Sequence, residues 1–160
     1  MNKTFALITA GLLLGATPAL AQTPPPQPPY SAHIISLAEA RTVAAAAEAE
    51  ARKNGWNSVI TIIEPNGQPV LMQKMDNTQY GAIEVARKKA ETSANFRRPT
   101  SYFQEAVKAG TLNSIFSGAA AIEGGELLMM DGKIVGAIGV SGATGAQDGQ
   151  VARAGAAALK

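Results

Sequence analysis

The stretch that most constrains this chain is residues 127–142, two apolar runs joined by Asp131-Gly132. A two-residue type I′ turn needs positive φ at both central positions, and Asp-Gly is one of the few pairs that supplies it. The second run carries Gly136 and Gly139 among Val, Ile and Ala residues. A strand residue without a side chain lets a packed helix or a ligand approach closely. We therefore predict a hairpin whose second arm is a central strand that ends in a functional loop.

The first 21 residues have the features of a secretory signal peptide. Lys3 gives a positive start, residues 5–14 are apolar, and residues 19–21 form a small-x-small cleavage site. The apolar run is shorter than the roughly 20 residues that span a bilayer. No cysteine follows that could carry a lipid. We predict cleavage after Ala21, a periplasmic or secreted mature chain and no stable membrane anchor.

Composition excludes several classes of function. The chain has 14 Lys and Arg against 12 Asp and Glu, so it offers no polybasic surface for nucleic acid. It has no cysteine, which excludes disulfides, thiolate ligands and thiolate nucleophiles. Residues 22–34 are rich in proline and predict an extended, solvated linker, and residues 35–160 have the length of a single domain.

Turn residues and apolar patterns divide this domain into four helices and five strands. Capping boxes open the first and last helices, Ser36 with Glu39 and Thr144 with Gln147. The helices are predicted at 36–55, 78–96, 100–110 and from 144 onward, and the strands at 58–64, 70–75, 119–122, 127–130 and 133–142. Hairpin connections favour antiparallel pairing, so we predict an α+β fold with a five-stranded antiparallel sheet in the order 2-1-5-4-3.

The loop at residues 141–145 leads from the predicted central strand into the last helix. Free backbone N–H groups and the helix dipole at such a point favour an anion such as a carboxylate or phosphate. Asp148 either complements the dipole or faces a ligand beside Ser141. A plain turn, which needs glycine only for its dihedral angles, explains the same residues. Both interpretations stay open from the sequence.

Cations and metal ligands are few. Arg87, Lys88 and Lys89 are interpreted as a solvated helix face, from which one cation could neutralise a ligand carboxylate. His33 is the only histidine, which excludes a catalytic triad or a multi-histidine metal site. His33 is nevertheless the strongest single candidate for an axial metal ligand, and Tyr80 and the methionines are weaker ones.

Several short motifs follow one another as they do in a known family. They are Arg87-Lys88-Lys89-Ala90, Arg98-Pro99-Thr100, Gly124-Gly125, Asp131-Gly132 and residues 136–142, closed by Asp148. On these residues the chain resembles the GlcG/HbpS-like haem-binding family, over about residues 36–159. That family includes glycolate-utilisation accessory proteins and the C-terminal domain of PduO-type corrinoid adenosyltransferases.

The resemblance implies about five antiparallel strands flanked by helices and assembly into homo-oligomers. For some members it also implies binding of haem or a related tetrapyrrole. In the family Gly-Gly is commonly followed by a proline-containing strand, whereas Glu126-Leu127 stands here, which predicts an altered pocket rim. The predicted ligand-binding residues are Tyr80, Glu84, Arg87, Lys89, Thr100, Ser141, Gly142 and Asp148, with His33 as the candidate iron ligand.

Three functions are consistent with these residues. The first is an exported small-ligand-binding protein with haem as the expected cofactor. The second is an enzyme or accessory protein for a small carboxylate or hydroxy acid, acting around Ser141, Asp148 and Arg87 or Lys89. The third is an assembly protein without a ligand. No nucleophile–base pair stands out in the sequence, so binding is favoured over catalysis.

Overall fold

The computed structural model describes residues 26–112 and 118–159. The proposed signal peptide and the start of the proline-rich segment lie outside the described residues. The elements in chain order are α1 (Leu37–Lys53), β1 (Val59–Ile63), β2 (Pro69–Lys74), α2 (Ala82–Phe96), α3 (Thr100–Lys108), β3 (Gly125–Met130), β4 (Lys133–Ser141) and α4 (Gly145–Ala156). Among the described residues, no helix is both long enough and apolar enough to cross a bilayer.

The α+β class is confirmed, but the sheet has four antiparallel strands in the order β2-β1-β4-β3. The prediction of a fifth strand at residues 119–122 is wrong, because that segment forms bends and irregular backbone. Its amides are used by helix side chains, since Ala120 N donates to Thr92 Oγ1 at 2.8 Å. Without the missing strand, the predicted neighbour order is the observed one.

The hairpin between β3 and β4 forms as the sequence predicts. Asp131 has φ 50° and Gly132 has φ 71°, the two positive values that a type I′ turn requires. β4 is buried from Ile134 onward and pairs with β3 on one side and β1 on the other. β2 contains only exposed and half-buried residues, as expected for an edge strand.

Helices cover both faces of the sheet. Helix α2 lies on one face, where Ile63 and Ala137 pack against Ala90 and Ala94. Helices α1 and α4 lie on the other, and their apolar side chains share a core cluster with Ile60, Ile62, Leu128, Ile138 and Val140. A Cβ on Gly139 would overlap the Ala86 carbonyl oxygen, so this glycine sets how closely α2 approaches β4.

Both predicted capping boxes are present. The Ser36 hydroxyl accepts from Glu39 N, and the Thr144 hydroxyl accepts from Gln147 N. Helix α2 begins at Ala82 rather than at residue 78, because the preceding residues form turns, with Thr78 N donating to Met75 O. Its N-cap is Gly81, whose absent side chain provides no cap.

The proline-rich segment is more than a solvated linker in the part that the structure describes. Ile134 N donates to Pro29 O at 2.9 Å and Ser31 N donates to Ile134 O at 2.8 Å, so the chain pairs with β4 beyond the end of β1. The Tyr30 hydroxyl donates to Ala94 O on α2 at 2.7 Å. These residues are mostly exposed, but they are hydrogen-bonded to β4 and α2.

Candidate functional site

An ion pair joins helices α2 and α4, which lie on opposite faces of the sheet. The Lys89 ammonium on α2 donates to Asp148 Oδ2 on α4 at 2.7 Å and to Val140 O at 3.0 Å. The two residues are only 1% and 2% exposed. The interpretation of Lys89 as part of a solvated face is therefore wrong, although Arg87 and Lys88 on the same helix are partly exposed.

Two glycines make room for this pair where β3 begins. A Cβ on Gly124 would lie 2.8 Å from Lys89 Nζ and 2.9 Å from Asp148 Cβ. Gly124 also has φ 125°, which L side chains rarely adopt. Gly125 N donates to the buried Thr100 hydroxyl at 2.8 Å, which fixes the start of β3 against α3. We name Lys89, Gly124 and Asp148 the buried junction.

The predicted anion-binding loop is satisfied by the protein's own carboxylate. Asp148 Oδ1 accepts from Ala143 N at 3.0 Å, and the Thr144 capping box uses further groups at the start of α4. Ser141 is buried, and a Cβ on Gly142 would overlap the Asn57 carbonyl oxygen. A negative charge does occupy the start of α4, and the protein supplies it from Asp148.

Burial has an electrostatic cost at the junction. Desolvation lowers the pKa of the Lys89 ammonium, and the hydrogen bond and charge of Asp148 oppose that shift. Asp148 thereby provides the partner without which a buried ammonium would be strongly unfavourable. This arrangement stabilises the packing of α2 and α4 against the sheet.

An open cleft lies on the outer side of α2, between that helix and the chain segment that follows α3. Its volume is about 290 Å³, and its walls are Glu84, Val85, Lys88, Gly118, Ala119, Ala120 and Ile122. A neighbouring cleft of about 260 Å³ shares Gly118 and Ala119 and continues along α2 to Phe96. The larger cleft has mostly apolar walls, with one cation and one carboxylate. We name these two spaces together the outer cleft.

Residues 118–123, named here the cleft segment, are held by side chains from three helices. Ala120 N donates to Thr92 Oγ1 on α2, and the same hydroxyl donates to Lys88 O at 2.7 Å. Glu123 N donates to Gln104 Oε1 on α3 at 3.0 Å. The Glu123 carboxylate accepts from Arg153 on α4 at 2.6 Å.

A second carboxylate approaches the same arginine. Glu126 Oε1 on β3 lies 3.6 Å from the Arg153 guanidinium. Burial, together with the nearby Glu123 charge, raises the pKa of the Glu126 carboxyl to about 7, and Arg153 opposes this shift. Glu126 therefore changes charge near neutral pH in a place where its charge affects Glu123.

The predicted site residues fall into two groups. Lys89, Ser141, Gly142 and Asp148 belong to the buried loop and junction, and Thr100 supports β3 nearby. The others lie outside, where Glu84 lines the outer cleft and forms an ion pair with Arg87 at 2.6 Å. Arg87 also pairs with Glu91.

Tyr80 and His33 are both accessible. Tyr80 is 86% exposed and lies just before α2, one turn from Glu84, with the Lys74 ammonium 5.6 Å from its ring centre. His33 Nε2 lies 3.1 Å from both Glu39 carboxylate oxygens, at the start of α1. Within residues 26–112 and 118–159, no three His, Asp or Glu side chains are grouped to hold a metal ion.

Sequence analysis missed most of the outer cleft. Val85 and Lys88 follow Glu84 on the exposed side of α2, and helical spacing would have placed Lys88 beside Glu84. The role of the cleft segment was hidden because its apolar residues suggested a strand. No local signal identifies Arg153 or Glu126, because they meet only when α4 packs on β3.

Comparison with known proteins identifies the fold and the relatives. The family described as "Haem degrading protein HbpS-like" matches residues 35–157. The GlcG protein of Escherichia coli is 39% identical over 109 residues, which cover 68% of this chain and 81% of that protein. An uncharacterised 15.0 kDa protein of Citrobacter freundii is 34% identical over 119 residues, which cover 71% of this chain and 84% of that protein.

Solved structures share the architecture. A double mutant of Streptomyces reticuli HbpS is 28% identical with a TM-score of 0.73, covering 91% of this chain and 99% of that one. A PduOC–haem complex is 23% identical with a TM-score of 0.72, covering 79% of this chain and 96% of that one. At that identity, the second likeness shows a common fold.

Proposed function

This chain belongs to the family of HbpS-like haem degrading proteins, and from that premise we propose that it binds haem or a related tetrapyrrole. The observation that carries the proposal is the outer cleft along α2, whose larger part has mostly apolar walls and includes Lys88. A flat apolar ligand with carboxylate groups matches this combination. The family match and the relative solved with haem support the same ligand class.

The described residues fit a haem in three respects. The larger part of the outer cleft has mostly apolar walls, and its volume of about 290 Å³ lies just below the ~300–1,000 Å³ range of small-molecule pockets. Lys88 provides a cation for a propionate. Tyr80 does not itself line the outer cleft, but it provides an exposed phenol just before α2, and tyrosine is an established class of axial haem ligand. A bound haem would supply an iron centre, which Tyr80 would hold.

The competing proposal of a small-carboxylate enzyme has less support. Its residues Ser141 and Asp148 are 7% and 2% exposed, and Asp148 is already paired with Lys89 and Ala143 N. A substrate carboxylate would have to displace a carboxylate of the protein itself. Binding in the outer cleft requires no such exchange.

Titration of the mature protein with haemin tests the proposal, with the Soret band as the readout. We expect a shifted Soret band and saturable binding. Val85→Asp should weaken binding about tenfold or more, because it places a charge in the apolar wall. The matched control is Val107→Asp, an exposed valine on α3 that does not line the outer cleft.

The identity of the iron ligand has its own test. Tyr80→Phe should move the Soret band of the complex, while Tyr102→Phe, another exposed tyrosine, should not. His33→Ala tests whether the iron ligand is His33, the candidate that the sequence suggested. An unshifted wild-type Soret band would overturn haem binding. Equal weakening by Val85→Asp and Val107→Asp would place the ligand elsewhere.

Export to the periplasm and assembly into a homo-oligomer form the rest of the proposal. Export rests on the signal-peptide features of residues 1–21 and requires a mature protein that begins at Gln22. Mass spectrometry of protein recovered from the periplasm would show whether the mature chain begins at Gln22. A chain that still begins at Met1 would contradict export. Light scattering would measure the oligomer, and a monomeric mass would contradict assembly.

A further inference from the structure

We propose that Arg153 is a positioning residue for the outer cleft. It lies on α4, across the sheet from α2, and acts through Glu123 to hold the cleft segment, while Glu126 competes for the same guanidinium. The consequence is a ligand site whose shape responds to pH. This inference rests on the proposed function for its ligand but concerns a different property, the order of the cleft segment.

The outer cleft is connected to α4 through Ile122 and Glu123 of the cleft segment. Ile122 lines the outer cleft and also contacts α4, since a Cβ on Gly145 would lie 3.2 Å from Ile122 Cγ2. The next residue, Glu123, lays its side chain across Gly149, where a Cβ would overlap that carboxylate. Arg153, one turn further along α4, donates to the same carboxylate at 2.6 Å. The cleft segment is therefore fixed to α4 by adjacent residues.

Glu126 and Glu123 compete for the Arg153 guanidinium. Glu126 lies on β3 opposite Ile138, on the sheet face that α4 covers, and its carboxylate is 3.6 Å from the guanidinium. Two charged groups act on it, Arg153 from α4 and Glu123 from the cleft segment, and the Lys89–Asp148 pair lies next to Gly124, two residues earlier in the chain. One arginine thus serves two carboxylates, of which one controls the cleft.

The charge of Glu126 sets how the hold on the cleft segment changes with pH. Below about pH 7 the Glu126 carboxyl is neutral, because burial raises its pKa to about 7. Arg153 then interacts with Glu123 alone, and the cleft segment is held. Above that pH the ionised Glu126 attracts Arg153 and repels Glu123. The cleft segment should loosen, and ligand affinity should fall, as the pH rises through neutrality.

Amide hydrogen exchange of the ligand-free protein tests the positioning role without any ligand. After correction for intrinsic exchange rates, protection of residues 118–123 should fall about tenfold between pH 6 and pH 8 in the wild type. Glu126→Gln should keep the protection at both values, and Arg153→Ala should lose it at both. Arg153→Lys should restore part of it, because the charge remains.

Controls separate this role from general stability. Arg52→Ala removes an exposed arginine that pairs with Glu48 on α1, and it should leave the cleft segment unchanged. Overall stability also falls as Glu126 ionises, so α1 serves as the reference: at pH 6, Arg153→Ala should lower the protection of residues 118–123 more than that of α1. Protection of residues 118–123 that is equal at pH 6 and pH 8, or that survives Arg153→Ala, would overturn the inference.

Haemin titration at pH 6 and pH 8 then separates the two proposals. Affinity should fall about tenfold with pH in the wild type and stay constant in Glu126→Gln. If exchange behaves as expected and haemin does not bind, the inference stands and the proposed ligand is wrong. If haemin binds with equal affinity at both pH values in the wild type, the ligand stands and the coupling is wrong.

Discussion

Lys88 and Lys89 are neighbours on α2, yet they belong to opposite environments. Lys88 is partly exposed and lines the outer cleft, whereas Lys89 is 1% exposed and pairs with Asp148 across the edge of the sheet. Successive residues of a helix point about 100° apart, so one basic pair supplies both regions. The buried junction is therefore closed to solvent, whereas the outer cleft is open to it.

The difference between the regions lies in how their polar groups are satisfied. In the buried junction each charge has a partner within the protein, and glycine leaves no free space. In the outer cleft the Thr92 hydroxyl holds the cleft segment, and the apolar side chains of Val85 and Ile122 stay half exposed. Four substitutions test this difference.

Asp148→Ala should have the largest effect, because it leaves the Lys89 ammonium buried without a counter-charge. Removing one partner of a buried ion pair costs about 3–5 kcal/mol. Urea unfolding should show that loss in the free energy of unfolding. Lys89→Met combined with Asp148→Leu should recover most of it, and a loss below about 1 kcal/mol for Asp148→Ala would contradict the role of the buried junction.

Glu126→Gln should change how stability depends on pH. The folded pKa of about 7 lies above the ordinary value of 4.5, so Glu126 contributes stability below about pH 4.5 that is lost as the pH rises to 7. The Gln variant should match the wild type near pH 4.5 and exceed it at pH 8 by on the order of 3 kcal/mol. If the free energies of unfolding of the variant and the wild type differ by the same amount at both pH values, the pKa of Glu126 is not raised.

Gly139→Ala should destabilise by about 1–3 kcal/mol, because the new methyl group has no space between β4 and α2. Its Cβ would lie 2.6 Å from Ala90 N, besides overlapping the Ala86 carbonyl oxygen. Gly81→Ala is the matched control, since nothing lies within 4 Å of its added Cβ and its φ is −60°. Equal unfolding free energies for the two variants would refute the close packing of α2.

Arg87→Ala should have the smallest effect, below about 1 kcal/mol, because exposed ion pairs contribute little. It removes pairs with Glu84 and Glu91 on the exposed side of α2. The same unfolding measurement serves, compared with Lys108→Ala, which removes an exposed pair with Glu105. A loss as large as that of Asp148→Ala would mean that the outer side of α2 is also structural.

Local sequence signals predicted much of the fold. The turn at Asp131-Gly132 and the two capping boxes appear as expected, because each depends on residues a few positions apart. The neighbour order of four strands also follows from hairpins and burial. The fifth strand was wrong because the apolar residues 119–122 bind to α2 through Thr92, a contact with no local signature.

The candidate site was harder to predict than the fold. The sequence identified Lys89, Ser141 and Asp148 as chemically notable, but the same residues suit a ligand site or an internal ion pair. Only packing distinguishes the two, because it decides whether the carboxylate meets water or an ammonium. The cluster of Glu123, Glu126 and Arg153 depends on three elements distant in the chain.

The glycines, caps and turn that fix where helices and strands begin and end can be recognised in the sequence, because such preferences act over a few residues. It also determined which residues could carry charge. The tertiary structure decided which of two adjacent lysines is buried and that α4 supplies the carboxylate for it. It also decided that an arginine across the sheet reaches the cleft segment. Desolvation and pairing depend on what packs nearby, and that is settled only when the elements come together.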